Sequence, residues 1–357
     1  MIGLFVLGFI VTTFIFVTHL PSYADDAFGN WHLPIMNILY DGGIKIFGSM
    51  GEILARARLG YPLMIPTFQA FIARIVGGYN DIYINLFPWL SLLFFMGVIK
   101  TYIFKHTKNI LLASIGLAII ASLPLIFMHT TQGYMDLLSA IYAVIAILFL
   151  YEWIGEDGTK SDLLLGLTFL SILSYVKNDG FIVYMMGILI ALALYFIIYR
   201  KSAADKLHVF TKLSTWLWIA GIILFFIAPF TFIKSYYHLG FNQAAGANAG
   251  LGLASTIHWE IFPALWQTIW KMNNFSLAPF LMLGVILHML MRRKRVLPQK
   301  WFLLLAPVVI LGIFLAVFLF TENYKFVLDQ TTSNRVLTMV LVIFFSYVAL
   351  LWDVTAE

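Results

Sequence analysis

Long apolar stretches, separated by short polar connections, follow one another along most of the chain. The runs are continuous rather than alternating every second residue, which favours helices over the strands of a membrane barrel. Each is close to the roughly 20 residues that a helix needs to cross the hydrocarbon core. The pattern predicts an all-α polytopic membrane protein with about ten transmembrane helices. We expect them at 2–20, 82–104, 109–128, 135–154, 162–177, 180–199, 213–235, 276–291, 301–320 and 336–352.

One further apolar stretch, 59–77, contains two prolines, a glutamine and an arginine. If it crossed the membrane, residue 1 would lie outside and the pair Asp25-Asp26 would face the cytoplasm. If it lies along the outer interface, that pair joins the outward side. Prolines and a central arginine suit an interfacial helix better than a lipid-facing span. We therefore predict that 59–77 is interfacial.

Basic residues are distributed unequally among the connections. By the positive-inside rule, the connections that are rich in Lys and Arg are cytoplasmic. The basic set comprises Lys100, Lys105, Lys108, Lys160, Arg200, Lys201, Lys206, Lys212, Arg292, Arg293, Lys294, Arg295 and Lys300. The connections predicted to face outward are then 129–134, 178–179, 236–275 and 321–335.

Composition agrees with a membrane protein. Of the 357 residues, 62% are hydrophobic and 11% are charged, whereas soluble domains carry about 25% charged residues. We expect one transmembrane domain over 1–357, with no separate soluble domain and with the first span retained rather than cleaved. The net charge of +5 lies mostly in cytoplasmic-type loops, which favours contact with membrane lipids and argues against nucleic acid as a partner. The absence of cysteine excludes disulfides and thiolate chemistry.

The first candidate for chemistry is the pair Asp25-Asp26, directly after the first span. A partly desolvated carboxylate beside a second one can have its pKa raised, which suits a general base. The pair could also ligate a divalent cation through oxygen. Alternatively, it only caps an interfacial helix, because Asp is a favoured N-cap residue.

Other ionisable residues recur at the predicted outer boundaries. Asp136 begins a span, and Lys177, Asn178 and Asp179 join two spans almost without a loop. A lysine so near the membrane needs a partner, for which Asp179 or a bound phosphate would serve. The alternatives are a helix-dipole role for Asp136 and a purely structural hairpin at 177–180.

Two more candidates lie further along the chain. Arg335 precedes the last span, and its planar fork suits phosphate oxygens, although an interface anchor is the common alternative. Glu260 lies in the outward segment 236–275, where an aromatic stretch predicts an interfacial helix after a glycine-rich loop.

Taken in order, these motifs resemble the GT-C glycosyltransferases, membrane enzymes that use sugars carried on polyprenyl phosphate. The resembling segments are ADDAFGNWH, RLGYPLMIP, GYMDLL, SYVKNDGF and TSNRVL. The resemblance implies a GT-C-like helical bundle with interfacial helices in the first outer loop. It also implies a catalytic Asp25 or Asp26, with substrate contacts from His32, Tyr61, Asp136, Lys177, Asn178, Asp179, Glu260 and Arg335.

The chain departs from the family in two respects. It has Gly60 and Tyr61 before Pro62, where relatives that modify lipid A or proteins often carry a lysine. The phosphate-contacting role of that lysine is therefore open, and Arg56 and Arg58 are candidates to replace it. It also lacks the soluble C-terminal domain or the additional helices of many relatives.

The expected activity is transfer of a sugar from polyprenyl phosphate to a hydroxyl of a glycan, lipid or protein acceptor. Transfer would proceed with inversion on the extracytoplasmic face of the inner membrane. No cofactor is required by this scheme, and no metal is predicted. The alternatives are a transporter or flippase for a lipid-linked sugar and a non-catalytic subunit of an envelope-glycan complex.

Overall fold

The computed structural model describes residues 1–22, 28–40, 42, 61–236, 257–271 and 274–352, and in this part of the chain it contains helices and no β-strand. The first half contains α1 (Ile2–His19), α2 (Leu33–Tyr40), α3 (Met64–Ile75), α4 (Asp81–Thr107), α5 (Ile110–Ser122), α6 (Pro124–Thr131), α7 (Asp136–Ile154) and α8 (Lys160–Val176). The second half contains α9 (Met186–Ile198), α10 (Arg200–Leu207), α11 (Leu213–Ile222), α12 (Ala228–Tyr236), α13 (Ile261–Trp270), α14 (Ala278–Met291), α15 (Pro298–Phe320), α16 (Lys325–Leu328), α17 (Thr331–Phe345) and α18 (Val348–Trp352). The prediction of an all-helical membrane protein is confirmed.

Within the described residues, six helical segments are long and apolar enough to cross a bilayer. They are Ile2–His19, Asp81–Thr107, Asp136–Ile154, Gly180–Ile198, Leu213–Tyr236 and Pro298–Phe320. Helices α5 and α6 would form a seventh crossing together, although the chain bends by 74° between them. Helices α8, α14 and α17 coincide with predicted spans but are shorter than the six. The finding supports a multi-pass protein, and the expectation of about ten crossings stays a prediction.

The stretch predicted to be interfacial forms α3, which has 12 residues. At 1.5 Å per residue this helix is about 18 Å long, well short of the roughly 30 Å hydrocarbon core. It buries Ile65, Gln69 and Ala73 while Phe68 and Phe71 are exposed. The length of α3 therefore supports an interfacial helix rather than a span.

Helix α7 lies at the centre of the bundle. In its most apolar stretch, 78% of the residues are buried, against 11% in α1 and 11% in 213–236. Helix α8 approaches α7 closely at Gly166, where a β-carbon would lie 2.9 Å from the Leu150 side chain. Small residues allow such close packing in membrane bundles. Most of α7 consequently has little exposure to lipid.

The charged residues divide between the two ends of α7. At its C-terminal end, Glu152 pairs with His106 of α4, and Lys206 of α10 donates a hydrogen bond to the Glu156 carbonyl. The last turn of α4 with Lys108, the start of α8 and the segment from α10 to Lys212 lie at this end, and they contain seven of the 13 predicted cytoplasmic lysines and arginines. The N-terminal end, where Asp136 lies, carries most of the predicted functional residues that the structure describes.

Candidate functional site

Asp136 is the centre of a buried ion cluster at the N-terminal end of α7. Lys177 Nζ donates to Asp136 Oδ1 over 2.6 Å, and Arg335 Nη2 donates to Asp136 Oδ2 over 2.7 Å. The three side chains are only 7–15% exposed. Asp179 Oδ2 lies 3.0 Å from Lys177 Nζ and is 44% exposed. We call Asp136, Lys177, Asp179 and Arg335 the rim cluster.

Local sequence places Lys177 in this cluster. Helix α8 ends at Val176, and Lys177 adopts an extended conformation before the chain becomes helical again at Asn178. Gly180 follows so closely behind α8 that a β-carbon there would collide with the Leu173 carbonyl. The one-residue break directs Lys177 toward α7 instead of continuing the turn of α8. The 177–180 segment is thus a tight helical reversal that also contributes a charged side chain to the rim cluster.

Arg335 reaches Asp136 from the first turns of α17, 199 residues away along the chain. Its guanidinium carbon lies 4.7 Å from the centre of the Tyr134 ring, in a cation–π arrangement. A simple interface anchor would extend toward the headgroups. Arg335 is instead held between a carboxylate and an aromatic ring.

Two buried residues beside the rim cluster were not among the predicted site residues. Lys234 of α12 donates from Nζ to Asn178 Oδ1 over 2.7 Å and lies 4.8 Å from the Phe230 ring centre. His129 of α6 is fully buried, and its Nδ1 lies 3.9 Å from Asp136 Oδ2. Lys234 could have been identified from the sequence, because a lysine inside an apolar span is energetically costly and is usually retained for a function.

A second polar group, the first-loop cluster, comprises Ser22, His32, Tyr79, Asp81 and Asn85. His32 Nδ1 lies 2.8 Å from the Tyr79 hydroxyl, and His32 Nε2 lies 3.5 Å from Ser22 Oγ. The Ser22 backbone N–H donates to Asp81 over 3.0 Å, and Asn85 donates to Ser22 Oγ over 2.7 Å. Burial lowers the pKa of the His32 imidazole, and Asp81 and Asn85 oppose that shift. His32 therefore fixes the first loop onto α4.

The two clusters are adjacent. Gly133, in the turn before Asp136, has a φ of +70°, and a β-carbon on it would lie 2.7 Å from Asn85 Oδ1 and 3.3 Å from His32 Nε2. Trp31 packs on Tyr61 with 5.4 Å between ring centres, and Tyr61 lies within electrostatic range of Lys177. The predicted residues His32, Tyr61, Asp136, Lys177, Asn178, Asp179 and Arg335 therefore occupy one end of the bundle.

The remaining predicted residues lie elsewhere or outside the described part of the chain. Glu260 is exposed and pairs with His258 over 2.7 Å, just before α13, rather than with the rim cluster. Asp25 and Asp26 lie outside the described residues. Their flanks are described: Ser22 and His32 both belong to the first-loop cluster. The assignment of Asp25 or Asp26 as the catalytic acid stays a prediction.

A metal site was not predicted, and the described residues offer no group of three or more His, Asp or Glu side chains that could hold one. Asp25 and Asp26, the pair considered as oxygen ligands, are outside that search. What the described geometry does offer is two fixed cations with a carboxylate between them. Because Asp179 also contacts Lys177, a phosphate at the bundle end would compete with two carboxylates for the two cations.

Comparison with known proteins returned no match among family models, curated proteins or solved structures.

Proposed function

We propose that this chain is an integral-membrane glycosyltransferase that moves a sugar from polyprenyl phosphate to an acceptor hydroxyl, with inversion. The observation that carries the proposal is the rim cluster. Asp136 brings Lys177 and Arg335 together from distant parts of the chain, at the end of the bundle opposite most of the basic connections. Together with the motif resemblance, two preorganised cations at a membrane rim fit the phosphate of a lipid-linked sugar.

In the proposed reaction, the carboxylate of Asp25 or Asp26 accepts the proton of the acceptor hydroxyl. The hydroxyl oxygen forms a bond to the anomeric carbon as the bond from that carbon to the phosphate oxygen breaks. The electron pair of that bond leaves with the phosphate, whose charge Arg335 and Lys177 stabilise. A phosphate needs little protonation to leave, so one base suffices.

The role of Asp136 in this scheme is positioning. Without a carboxylate between them, Lys177 and Arg335 would repel each other in a poorly hydrated environment. Asp136 holds both in one orientation. The first-loop cluster would hold the flanks of the loop that carries Asp25 and Asp26 beside this site.

The direct test incubates the purified protein with a panel of polyprenyl-phosphate sugars and acceptor extracts, with mass spectrometry of released polyprenyl phosphate. Asp25→Asn and Asp26→Asn are compared with Asp157→Asn, the same change at an exposed residue at the opposite end of the bundle. Loss of a general base should reduce turnover about 10²–10⁴-fold at saturating donor. Normal turnover and an unchanged pH profile in both loop variants would exclude them as the base.

The phosphate contact is tested separately. Arg335→Ala should weaken binding of polyprenyl phosphate by about 1.5–3 kcal/mol, and Arg335→Lys should recover only part of this loss because the planar fork is missing. Donor affinity like that of the wild type in folded Arg335→Ala would contradict the phosphate assignment.

A transporter for a lipid-linked sugar is the second candidate. It is favoured by one observation, the 74° bend between α5 and α6, because broken helices are common in transporters. The two candidates differ in product. Movement of an intact lipid-linked sugar across proteoliposomes, without release of polyprenyl phosphate, would favour the transporter.

A further inference from the structure

His129 is the least satisfied polar side chain beside the rim cluster. It lies at the end of α6, fully buried, and neither of its ring nitrogens has a hydrogen-bond partner. Its ring packs against Tyr134, with 5.1 Å between ring centres. Buried polar atoms are normally hydrogen bonded, so a histidine with two unpaired nitrogens requires an explanation.

Asp136 does not provide the missing partner. The distance of 3.9 Å from His129 Nδ1 to Asp136 Oδ2 is too long for a hydrogen bond. Both Asp136 oxygens are already engaged, one with Lys177 and the other with Arg335. If His129 served only to fill space, phenylalanine would do so without burying two unpaired polar atoms.

The chemistry of the imidazole indicates what could pair with it. A neutral histidine presents one N–H donor and one nitrogen acceptor. A hydroxyl group both donates and accepts, whereas a phosphate without a proton only accepts. The nearest cations, Lys177 and Arg335, suit the phosphate, which leaves His129 beside them for an uncharged hydroxylated group.

We propose that His129 binds a hydroxyl of the sugar whose phosphate is held by Arg335 and Lys177. The residue would thereby distinguish a glycosylated polyprenyl phosphate from the bare lipid phosphate. This inference rests on the proposed function and deepens it, because it assigns sugar recognition to a residue separate from the phosphate contacts. The bend between α5 and α6 places His129 at the turn that leads into Asp136.

The test measures dissociation constants in detergent for polyprenyl phosphate and for its mannosyl, glucosyl and arabinosyl forms. The wild type should prefer at least one glycosylated form over the bare phosphate. His129→Phe should reduce that preference about 5–10-fold, the equivalent of one hydrogen bond, while affinity for bare polyprenyl phosphate stays within about twofold. His129→Gln, which keeps one donor and one acceptor, should recover part of the preference.

His288→Phe is the matched control, because His288 stacks on Trp352 at the opposite end of the bundle. It should leave every affinity unchanged. Thermal unfolding without ligand should show His129→Phe at least as stable as the wild type, since an unpaired polar group has been removed.

The possible failures are distinguishable. If His129→Phe and His129→Gln keep the preference of the wild type for the sugar, His129 does not bind it, and the glycosyltransferase proposal is unaffected. Arg335→Ala is expected to weaken the binding of bare polyprenyl phosphate and of the glycosylated forms equally. If His129→Phe does the same, the separate role of His129 in sugar binding is overturned. If the wild type binds none of the four lipids, the proposed function fails and this inference fails with it.

Discussion

Helix α7 carries an acid near each end, and the surroundings of the two acids differ. Asp136, at the first residue, is 11% exposed and contacts two cations from α17 and the end of α8. Glu152, in the last turn, is 29% exposed and pairs with His106, itself 27% exposed, over 2.7 Å. Both acids make short ion-pair contacts, so distance alone does not distinguish the two sites.

The difference lies in hydration. An exposed ion pair contributes little to the free energy of folding, because water solvates both partners almost as well when they are apart. A buried pair is not strongly stabilising either, but removing one member leaves an uncompensated charge that is costly. We therefore expect substitutions to destabilise the protein more at the Asp136 end than at the Glu152 end. Costly buried charges are typically retained at functional sites in membranes.

The largest effect is expected from removing the central carboxylate. Asp136→Ala should lower the free energy of unfolding by about 3–5 kcal/mol, because Lys177 and Arg335 are left buried beside each other. Glu152→Ala should cost at most about 1 kcal/mol. The measurement is reversible unfolding in mixed detergent micelles. Equal losses in the two variants would show that the ends of α7 are energetically alike.

A smaller effect is expected at the turn that joins the rim cluster to the first-loop cluster. Gly133→Ala adds a β-carbon at a φ of +70°, 2.7 Å from Asn85 Oδ1. We expect a loss of about 1–3 kcal/mol from backbone strain and overpacking. Gly97→Ala, in α4 with nothing within 4 Å of the new carbon, should be neutral or stabilising by up to about 1 kcal/mol. A neutral Gly133→Ala would contradict the tight contact between the clusters.

The smallest effect concerns pH. Burial holds the pKa of His32 below its usual 6.5 in the folded protein. Below pH 6.5 the unfolded chain therefore binds a proton at His32 that the folded chain does not bind. The contribution of His32 to the free energy of unfolding is complete above this pH and decreases as the pH drops toward the folded-state pKa. Titration of His32 changes the free energy of unfolding by at most about 1.4 kcal/mol per pH unit.

Unfolding measured from pH 7.5 to pH 5 tests this dependence. His32→Gln should be less stable than the wild type at pH 7.5 but should lose less stability on acidification. An identical pH dependence in the two proteins would show that His32 does not titrate differently in the folded and unfolded chains.

The helical architecture could be predicted because each span carries its own signal. An apolar run of sufficient length must satisfy its backbone internally in lipid, and a helix does so without any partner. The amphipathic helix α3 was also predictable from its prolines and its arginine. The bend between α5 and α6 was not anticipated, since 109–128 is predicted as one helix, although Pro124 marks the place where the second helix begins.

The sequence predicted several individual residues of the site but not the contacts between them. Asp136, Lys177 and Arg335 were identified one by one as ionisable groups at boundaries. Asp179 or a bound phosphate was expected as a partner for Lys177, and Asp179 lies 3.0 Å from it. That Lys177 and Arg335 share one carboxylate was not predicted, because nothing local to either residue specifies the other. His129, in the predicted outward connection 129–134, and Lys234, inside the predicted span 213–235, were not identified as site residues.

Hydropathy and charge along the chain were enough to predict a helical membrane protein with its basic connections on one side, and to identify the ionisable residues that must be accommodated near the membrane. These properties follow from the local cost of placing charge or unpaired backbone in lipid, which a single segment already expresses. Only the tertiary structure decided that Asp136 binds Lys177 and Arg335 together and that His129 lies unpaired beside them. Those contacts depend on how α6, α7, α8 and α17 pack, and packing among lipid-compatible helices is set by close steric fit and buried polar contacts rather than by hydropathy.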